Sequence, residues 1–491
     1  MPPAISERWK IPAAGFGALA GIATAAVMWW WLCPLVPSLT QTFALALIAL
    51  GVLHVVSGSL SEKAGPMMLT FWAFVVISMG IAPLVQYKNG VFPKIDSQLG
   101  VYYYDAQFLT LAAAVAYTVG YVTLPARKPG HESVHTGAPD DGRGANRRLA
   151  VAAACSLAAF PLGASSGVGI AARFQSRDSL IASYADAGIS YAAGQSIQIA
   201  ILKMLPTILA IVGATIAAHE VSSRRATGRP LTSTTTVAVL ATTSFVVFAN
   251  PLSNTRYIAF SGLLAVLFAG VRLTTRRRTL ALGVGLMLGL AAIYPAAAAF
   301  KNDSPNEAVP TGQAAFTTVD FDGLQQTASA FSYVNTRGHT NGNIALSGAL
   351  FLIPRSIWEG KSLPSSYLTT EARGYLVRNL SQPLWSEFYL DAGWVGTLAA
   401  MGLIGQVSAR LDRRYREDPN HPFAALVAAT AAVQIGFLRG PMGAQVVFAA
   451  PVIGLVLGAV LWSTAGSKQA AARDGRTRRT GSASTTIAGI R

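Results

Sequence analysis

The chain has 491 residues, 52% of them hydrophobic and only 12% charged, where an ordinary soluble domain carries about 25% charge. That composition excludes the water-soluble globular classes and makes the bilayer the natural solvent. The formal net charge of +16 raises nucleic acid as a partner, but its distribution argues otherwise.

Apolar runs of about 20 residues predict membrane helices. In chain order they are 11–33, 39–60, 66–86, 104–125, 149–170, 196–218, 231–249, 254–271, 279–300, 388–408, 422–438 and 444–463, the eighth and eleventh being short. The first follows "SERWK" and is too long for a signal-peptide core, with no small-residue cleavage site, so it reads as retained. No internal repeat of the transporter kind is visible. The fold class expected is therefore all-α: a polytopic integral membrane protein with about 12 spans in one domain, 1–463, and a disordered basic cytoplasmic tail, 464–491.

With the N-terminus inside and the spans alternating, the inside segments hold 25 of the 38 Lys and Arg residues. Almost every inside connector is basic: "RKPGHESVHTGAPDDGRGANRR", "SSRRATGRP", "RLTTRRR", "RLDRRYRED". This is the positive-inside pattern, so the basic clusters are topology signals and nucleic acid is not an expected partner. Both termini are expected in the cytoplasm, the chain being multi-pass in the cytoplasmic (inner) membrane. Cys33 and Cys155 then lie near opposite faces and are not expected to pair.

Two outside connectors are long. One covers 171–195, "AARFQSRDSLIASYADAGISYAAGQ"; the other covers 301–387. Loops of that length usually carry function. In the second, Phe321, Leu324, Ala328, Phe331 and Val334 share one helical face, and Gly338 is placed to end that helix. The apolar run "NIALSGALFLI" is about half a span, which predicts a re-entrant or interfacial helix stopping at Pro354.

The outside arginines are Arg173, Arg177, Arg256, Arg337, Arg355, Arg373, Arg378 and Arg439. Topology gives no reason for so many, and a guanidinium fork binds phosphate oxygens in pairs. Part of the set has a plainer explanation, as structural partners of Asp178, Asp186, Glu359, Glu371 or Asp391. His339, the only outside histidine, is a candidate base or anion ligand, or simply a histidine at a helix end. Glu387 and Asp391, in "PLWSEFYLDAGWVG", are one turn apart; they suit proton abstraction, or a salt bridge to Arg373 or Arg378. Asp320 and Asp322 have metal-binding spacing, but acids at a helix start need no metal, and no metal or other cofactor is expected. Lys203 is the clearest charge inside a span and either lines a cavity or snorkels.

The stretches "LFLIPRSIWEGKSLPSS" and "SQPLWSEFYLDAGWVGTLAAMGLIG" resemble the Wzy-type oligosaccharide repeat-unit polymerases, the O-antigen polymerase family. Two Arg-x10-Gly spacings, Arg177 to Gly188 and Arg337 to Gly348, add to the resemblance. It implies a membrane glycosyltransferase that transfers a growing glycan from polyprenyl diphosphate to the next lipid-linked repeat unit at the outer face of the membrane. Its partners would be polyprenyl-diphosphate-linked oligosaccharides and membrane lipid, with a chain-length regulator and a flippase nearby. On that reading Glu387 and His339 are the catalytic candidates, and Arg177, Arg337, Arg355, Arg373 and Arg378 hold the diphosphate. The alternatives are an O-antigen-ligase-like glycan transferase, and a non-enzymatic lipid-linked glycan flippase or polysaccharide exporter.

Overall fold

The computed structural model describes residues 13–94, 96–123, 142–186, 197–297, 310–378 and 380–482, with side chains described as far as 465 except at 197–203. Among the described residues the chain is all-helical, without a strand. The helices are α1 (Ala13–Leu32), α2 (Leu39–Leu60), α3 (Pro66–Asn89), α4 (Tyr103–Val122), α5 (Arg143–Ala164), α6 (Arg177–Asp186), α7 (Ile197–Ala226), α8 (Thr232–Phe248), α9 (Arg256–Gly270), α10 (Arg276–Ala296), α11 (Gly323–Arg337), α12 (Asn343–Ala349), α13 (Ser365–Ala372), α14 (Leu384–Glu417), α15 (Phe423–Arg439) and α16 (Met442–Ser482).

Every apolar run read from the sequence forms a helix. Eight of them, α1, α2, α3, α5, α7, α10, α14 and α16, are long and apolar enough to cross a membrane. Three more, α8, α9 and α15, are apolar but only 15–17 residues long. α4 has the length but carries Asp105 and Gln107 in its first turns. The remaining helices, α6, α11, α12 and α13, lie in the two long connectors.

α3 is the axis of the bundle. Of its most apolar stretch 94% is buried, against 11% for α1 at the periphery. It packs on α2, α10, α14 and α15, and α9 joins α15 to a second group made of α5, α7, α8 and α16. The middle of α3, Val75–Ile81, is wound as a π-helix. Gln107 of α4 donates to the Met79 carbonyl there at 2.6 Å, so the wide turn is satisfied from a neighbouring helix. Small residues set the closest crossing. A Cβ on Gly120 of α4 would lie 1.9 Å from the Gly402 carbonyl oxygen of α14, so those two backbones are in direct contact.

The bundle has two chemically different ends. One gathers the basic connectors: Arg148 pairs with Glu220 at 2.5 Å, Arg276 with Glu62 at 3.3 Å, and Asp412 binds the start of α3. The other gathers 90–94, 96–102, 165–186, 249–255, 310–378 and 380–383, which are held through Gln86, Asn250, Asp96 and Asp320.

α11 ends at Gly338 as its sequence predicts, with Gly338 at φ +79°. It is not a surface amphipathic helix, however: Gly323 to Tyr333 are all buried. Gln325, Gln326, Thr327, Ser329 and Ser332 face protein rather than water. Gln325 exchanges hydrogen bonds with the Lys94 backbone at 2.7 and 2.9 Å, and the Gln326 carbonyl accepts from Gln382 at 3.2 Å. The expected helix over "NIALSGALFLI" is shorter than predicted. It stops at Ala349 rather than Pro354, and turns follow. Past the stop, the Lys361 ammonium takes the carbonyls of Leu350, Phe351 and Ile353 at 3.2, 2.9 and 2.7 Å, and Pro354 has no N–H to carry the helix on to Leu350.

Asp412 is buried and accepts from the backbone N–H of Met67 and Met68, at 2.9 and 3.0 Å, and from the Tyr121 hydroxyl at 2.9 Å. Asp412→Ala leaves these donors without an acceptor, at about 1–3 kcal/mol for each one stranded. We expect it to lower the melting temperature in detergent by far more than Asp412→Asn, which keeps one carbonyl acceptor. Equal melting temperatures for the two variants would show that α3 does not depend on this cap.

Candidate functional site

Among the described residues, no hydrogen bond or ion pair joins any two of the seven residues singled out from the sequence. Glu387 and Asp391 are both buried, and neither pairs with an arginine, so the expected salt bridge to Arg373 or Arg378 is absent. Glu387 accepts from the Met442 N–H at 2.8 Å and from the Ser365 hydroxyl. Asp391 accepts from the Ile344 and Ala345 N–H groups at 3.0 and 2.7 Å and from the Thr340 hydroxyl. Each carboxylate therefore caps the start of another helix, α16 and α12 respectively, whose own N-cap positions supply no side-chain acceptor.

Just beyond Asp391 the chain breaks its helix, at Ala392 (φ −147°) and Gly393 (φ +64°). A break leaves carbonyls without intrahelical donors. The segment after α11 supplies them: Thr340 N–H donates to Leu390 O at 2.8 Å, and His339 Nδ1 lies 3.0 Å from Tyr389 O. A carbonyl only accepts, so the neutral form of His339 carries its proton on Nδ1 and its lone pair on Nε2. The ring is exposed and packs edge-on to Tyr389 at 5.7 Å. This is the tautomer a general base needs, fixed by the break in α14.

Arg373 is committed elsewhere. Its guanidinium grips Asp96 through Nε at 2.9 Å and Nη2 at 2.5 Å, and reaches Ser332 at 3.2 Å. Tyr375 donates to the same carboxylate at 2.6 Å. Partial burial pushes the Asp96 carboxyl up, but the bonds from Arg373 and Tyr375 outweigh it and hold the group below its ordinary 3.8. Arg355 is exposed, and its Nη2 donates to the Ser362 carbonyl at 2.8 Å, closing its own loop. Arg337 lies over the Tyr333 ring at 5.9 Å, and Arg378 is exposed; neither has a carboxylate partner among the described residues. Gly188 lies outside the described residues, as does the Lys203 side chain.

A different group of arginines does converge. Arg256 begins α9, Arg439 ends α15, and both face Asp320 in the turn Val319–Phe321. The Arg256 Nη1 is 2.5 Å from Asp320 Oδ2, though its N–H does not point at the oxygen; the Arg439 Nη2 is 3.9 Å from Oδ1. Arg439 Nε is buried without a hydrogen-bond partner. The Arg256 guanidinium lies over the Tyr294 ring at 5.6 Å, just past the π-helical turn Gly289–Ile293 of α10. Arg177, the first residue of α6, has no partner among the described residues and, like Arg439, is within electrostatic reach of Tyr257. Two guanidiniums, Arg256 and Arg439, face Asp320, and the buried Asp322 is within electrostatic reach of Arg439 in the same group. The start of α9 adds positive helix-dipole potential to it, a place where a cation is disfavoured unless an anion is present. Asp322, two residues on, is buried and bound to Ser381 instead; burial pushes its carboxyl up.

Sequence reading grouped Arg256 and Arg439 with the outside arginines but did not select them. Their sequence separation hides that the ends of α9 and α15 meet. The available signal was position: each is the polar residue closing an apolar run.

Arg373→Ala removes a charge-assisted pair, a change of about 1.5–3 kcal/mol, and is expected to lower thermal stability, whereas Arg177→Ala leaves it unchanged. Because Asp96 is held below its ordinary value, the pair stabilises the fold above about pH 4 and that contribution disappears as pH falls through the lowered value. Thermal melts from pH 7 to 3 should therefore show a steeper acid loss for the parent than for Arg373→Ala. Parallel curves would count against the pairing.

Neither family models, nor curated proteins, nor solved structures provide a match to this chain.

Proposed function

We propose that this protein is a membrane glycosyltransferase that polymerises polyprenyl-diphosphate-linked oligosaccharide repeat units at the outer face of the cytoplasmic membrane. The observation that carries the reading is the pair Arg256 and Arg439 facing Asp320, with Arg177 within electrostatic reach of the neighbouring Tyr257, at the end of the bundle opposite the basic connectors. The resemblance to Wzy-type polymerases in 350–366 and 381–405 supports it. A lipid-linked substrate presents its diphosphate at the membrane surface, and guanidiniums at the ends of apolar helices suit such a substrate. The arginine clamp of this proposal thus keeps Arg177, adds Arg256 and Arg439, and treats Arg355 and Arg373 as scaffold. Arg337 and Arg378 stay available to a long substrate.

In the reaction, the acceptor hydroxyl attacks the anomeric carbon of the donor glycan. The bond from that carbon to the diphosphate oxygen breaks, and its electron pair leaves with the polyprenyl diphosphate. The arginines stabilise the charge as it grows on the bridging oxygen. The hydroxyl proton goes to His339 Nε2, whose tautomer suits it as base. Glu387, enclosed and bound to Ser365 and Met442, is assigned to holding α13 and α16 rather than to proton transfer.

Reconstitution with lipid-linked repeat units tests this. Chain growth supports polymerisation, transfer to a different lipid supports the ligase-like alternative, and a change of sidedness alone supports a flippase. Within it, Arg439→Lys and Arg256→Lys should each lose about tenfold or more of activity, since lysine offers a point charge without the planar fork. His339→Gln should lose about 100-fold or more. Melting temperatures should stay within a degree or two for Arg177→Lys and His339→Gln. Full activity in all of these variants would remove the site.

A further inference from the structure

Asp320 is an unusual partner for its two arginines. A carboxylate held between guanidiniums normally takes paired, aligned bonds. Here it approaches Arg256 to 2.5 Å with the donor misdirected and leaves Arg439 at 3.9 Å, beyond hydrogen-bond distance. Arg439 has to spend its Nη2 on the Val319 carbonyl at a long 3.4 Å, and its buried Nε finds nothing. The carboxylate is too short to satisfy both forks. A larger oxyanion, with more oxygens spread over two phosphorus atoms, would reach both and return the stranded donor to use. The side chains remain partly open, at 18% for Arg256 and 22% for Arg439, with Asp320 at 9%.

The backbone under Asp320 is held independently of its carboxylate. Gln86 of α3 donates to the carbonyls of Phe316 and Phe321 at 2.8 and 2.9 Å, and the Phe321 side chain is buried. Asp320 can therefore turn its carboxylate away from the arginines by side-chain rotation while the turn stays in place.

We propose that Asp320 is a built-in competitor at a diphosphate-binding site formed by Arg256 and Arg439, and that the incoming diphosphate displaces its carboxylate. The identity of the natural anion as the donor's lipid-linked diphosphate rests on the proposed function; the competition itself does not. The device has a kinetic consequence. A carboxylate that rebinds the arginines helps expel polyprenyl diphosphate, the leaving group and product, which the same forks would otherwise retain. Neutralising Asp320 therefore tightens anion binding and slows turnover.

The test uses the full chain in nanodiscs of neutral phospholipid, with inorganic pyrophosphate as the probe. Binding by calorimetry should be about tenfold or more tighter for Asp320→Asn than for the parent, and lost in Arg439→Gln of either background. Asp320→Ser serves as the second neutral variant, should the amide of asparagine disturb folding. On the parent protein, pyrophosphate should protect Arg256 and Arg439 from phenylglyoxal, read by mass spectrometry, and leave Arg373 unprotected. Unchanged or weaker pyrophosphate binding in both neutral variants, or no protection of the parent, overturns the proposal. Phosphatidylglycerol nanodiscs that abolish pyrophosphate binding would also overturn it, by assigning the site to a phospholipid headgroup. In the polymerisation assay, Asp320→Asn should lower both KM for the donor and kcat, about tenfold for KM. Tighter pyrophosphate binding without polymer from any variant or the parent would leave the competitor standing and remove the polymerase reading. Polymer formation with unchanged pyrophosphate affinity would do the reverse.

Discussion

The architecture depends on carboxylates of one helix, α14, closing the starts of three others. Asp412 receives the first free N–H groups of α3, Asp391 those of α12, and Glu387 that of α16. Exposed helix starts can leave these donors to water, but starts buried in a bundle cannot, and each unmet donor costs free energy. Pro66 and Gly342 at two of these starts offer no side-chain acceptor of their own. α14 therefore works as a common fastener at both ends of the molecule. Asp412 fixes the central helix α3 at the basic end, while Glu387 and Asp391 fix the opposite end.

The break at Ala392–Gly393 follows from the same logic. The break follows directly on the segment that carries Glu387 and Asp391, and it strands the carbonyls of Tyr389 and Leu390. The chain after α11 takes those carbonyls, and one of the two donors is His339. A structural need of the scaffold thereby sets the tautomer of the residue assigned as base. This coupling of fold and chemistry makes His339 informative where the buried Glu387 is not.

Charge at the end of the bundle opposite the basic connectors divides into committed and uncommitted groups. Arg373, Arg355 and Lys361 spend their donors on Asp96 or on backbone carbonyls, and they hold loops in shape. Arg256 and Arg439 are under-used by comparison, and they stand where the ends of α9 and α15 meet. The Arg439 Nε is one of several buried side-chain polar atoms without a partner among the described residues, and it is set apart by its place beside Arg256 and Asp320.

Local chemistry settled a good deal before any tertiary contact was known. The apolar runs marked every long helix, the basic connectors sorted them into two ends, and Gly338 marked the stop of α11, because hydrophobic length, connector charge and backbone freedom act over a few residues. Which polar groups pair is not local. Asp96 and Arg373 are separated by 277 residues, and Asp412 reaches Met67 across 345. The sequence offered Glu387 and Asp391 as carboxylates on one helical face, which they are, but only packing shows that their oxygens meet backbone N–H rather than arginine. It likewise listed eight outside arginines and selected five of them as diphosphate ligands, leaving out Arg256 and Arg439. Tertiary structure ranked them, since a guanidinium is free or spent according to which acceptors the other helices bring within about 3 Å.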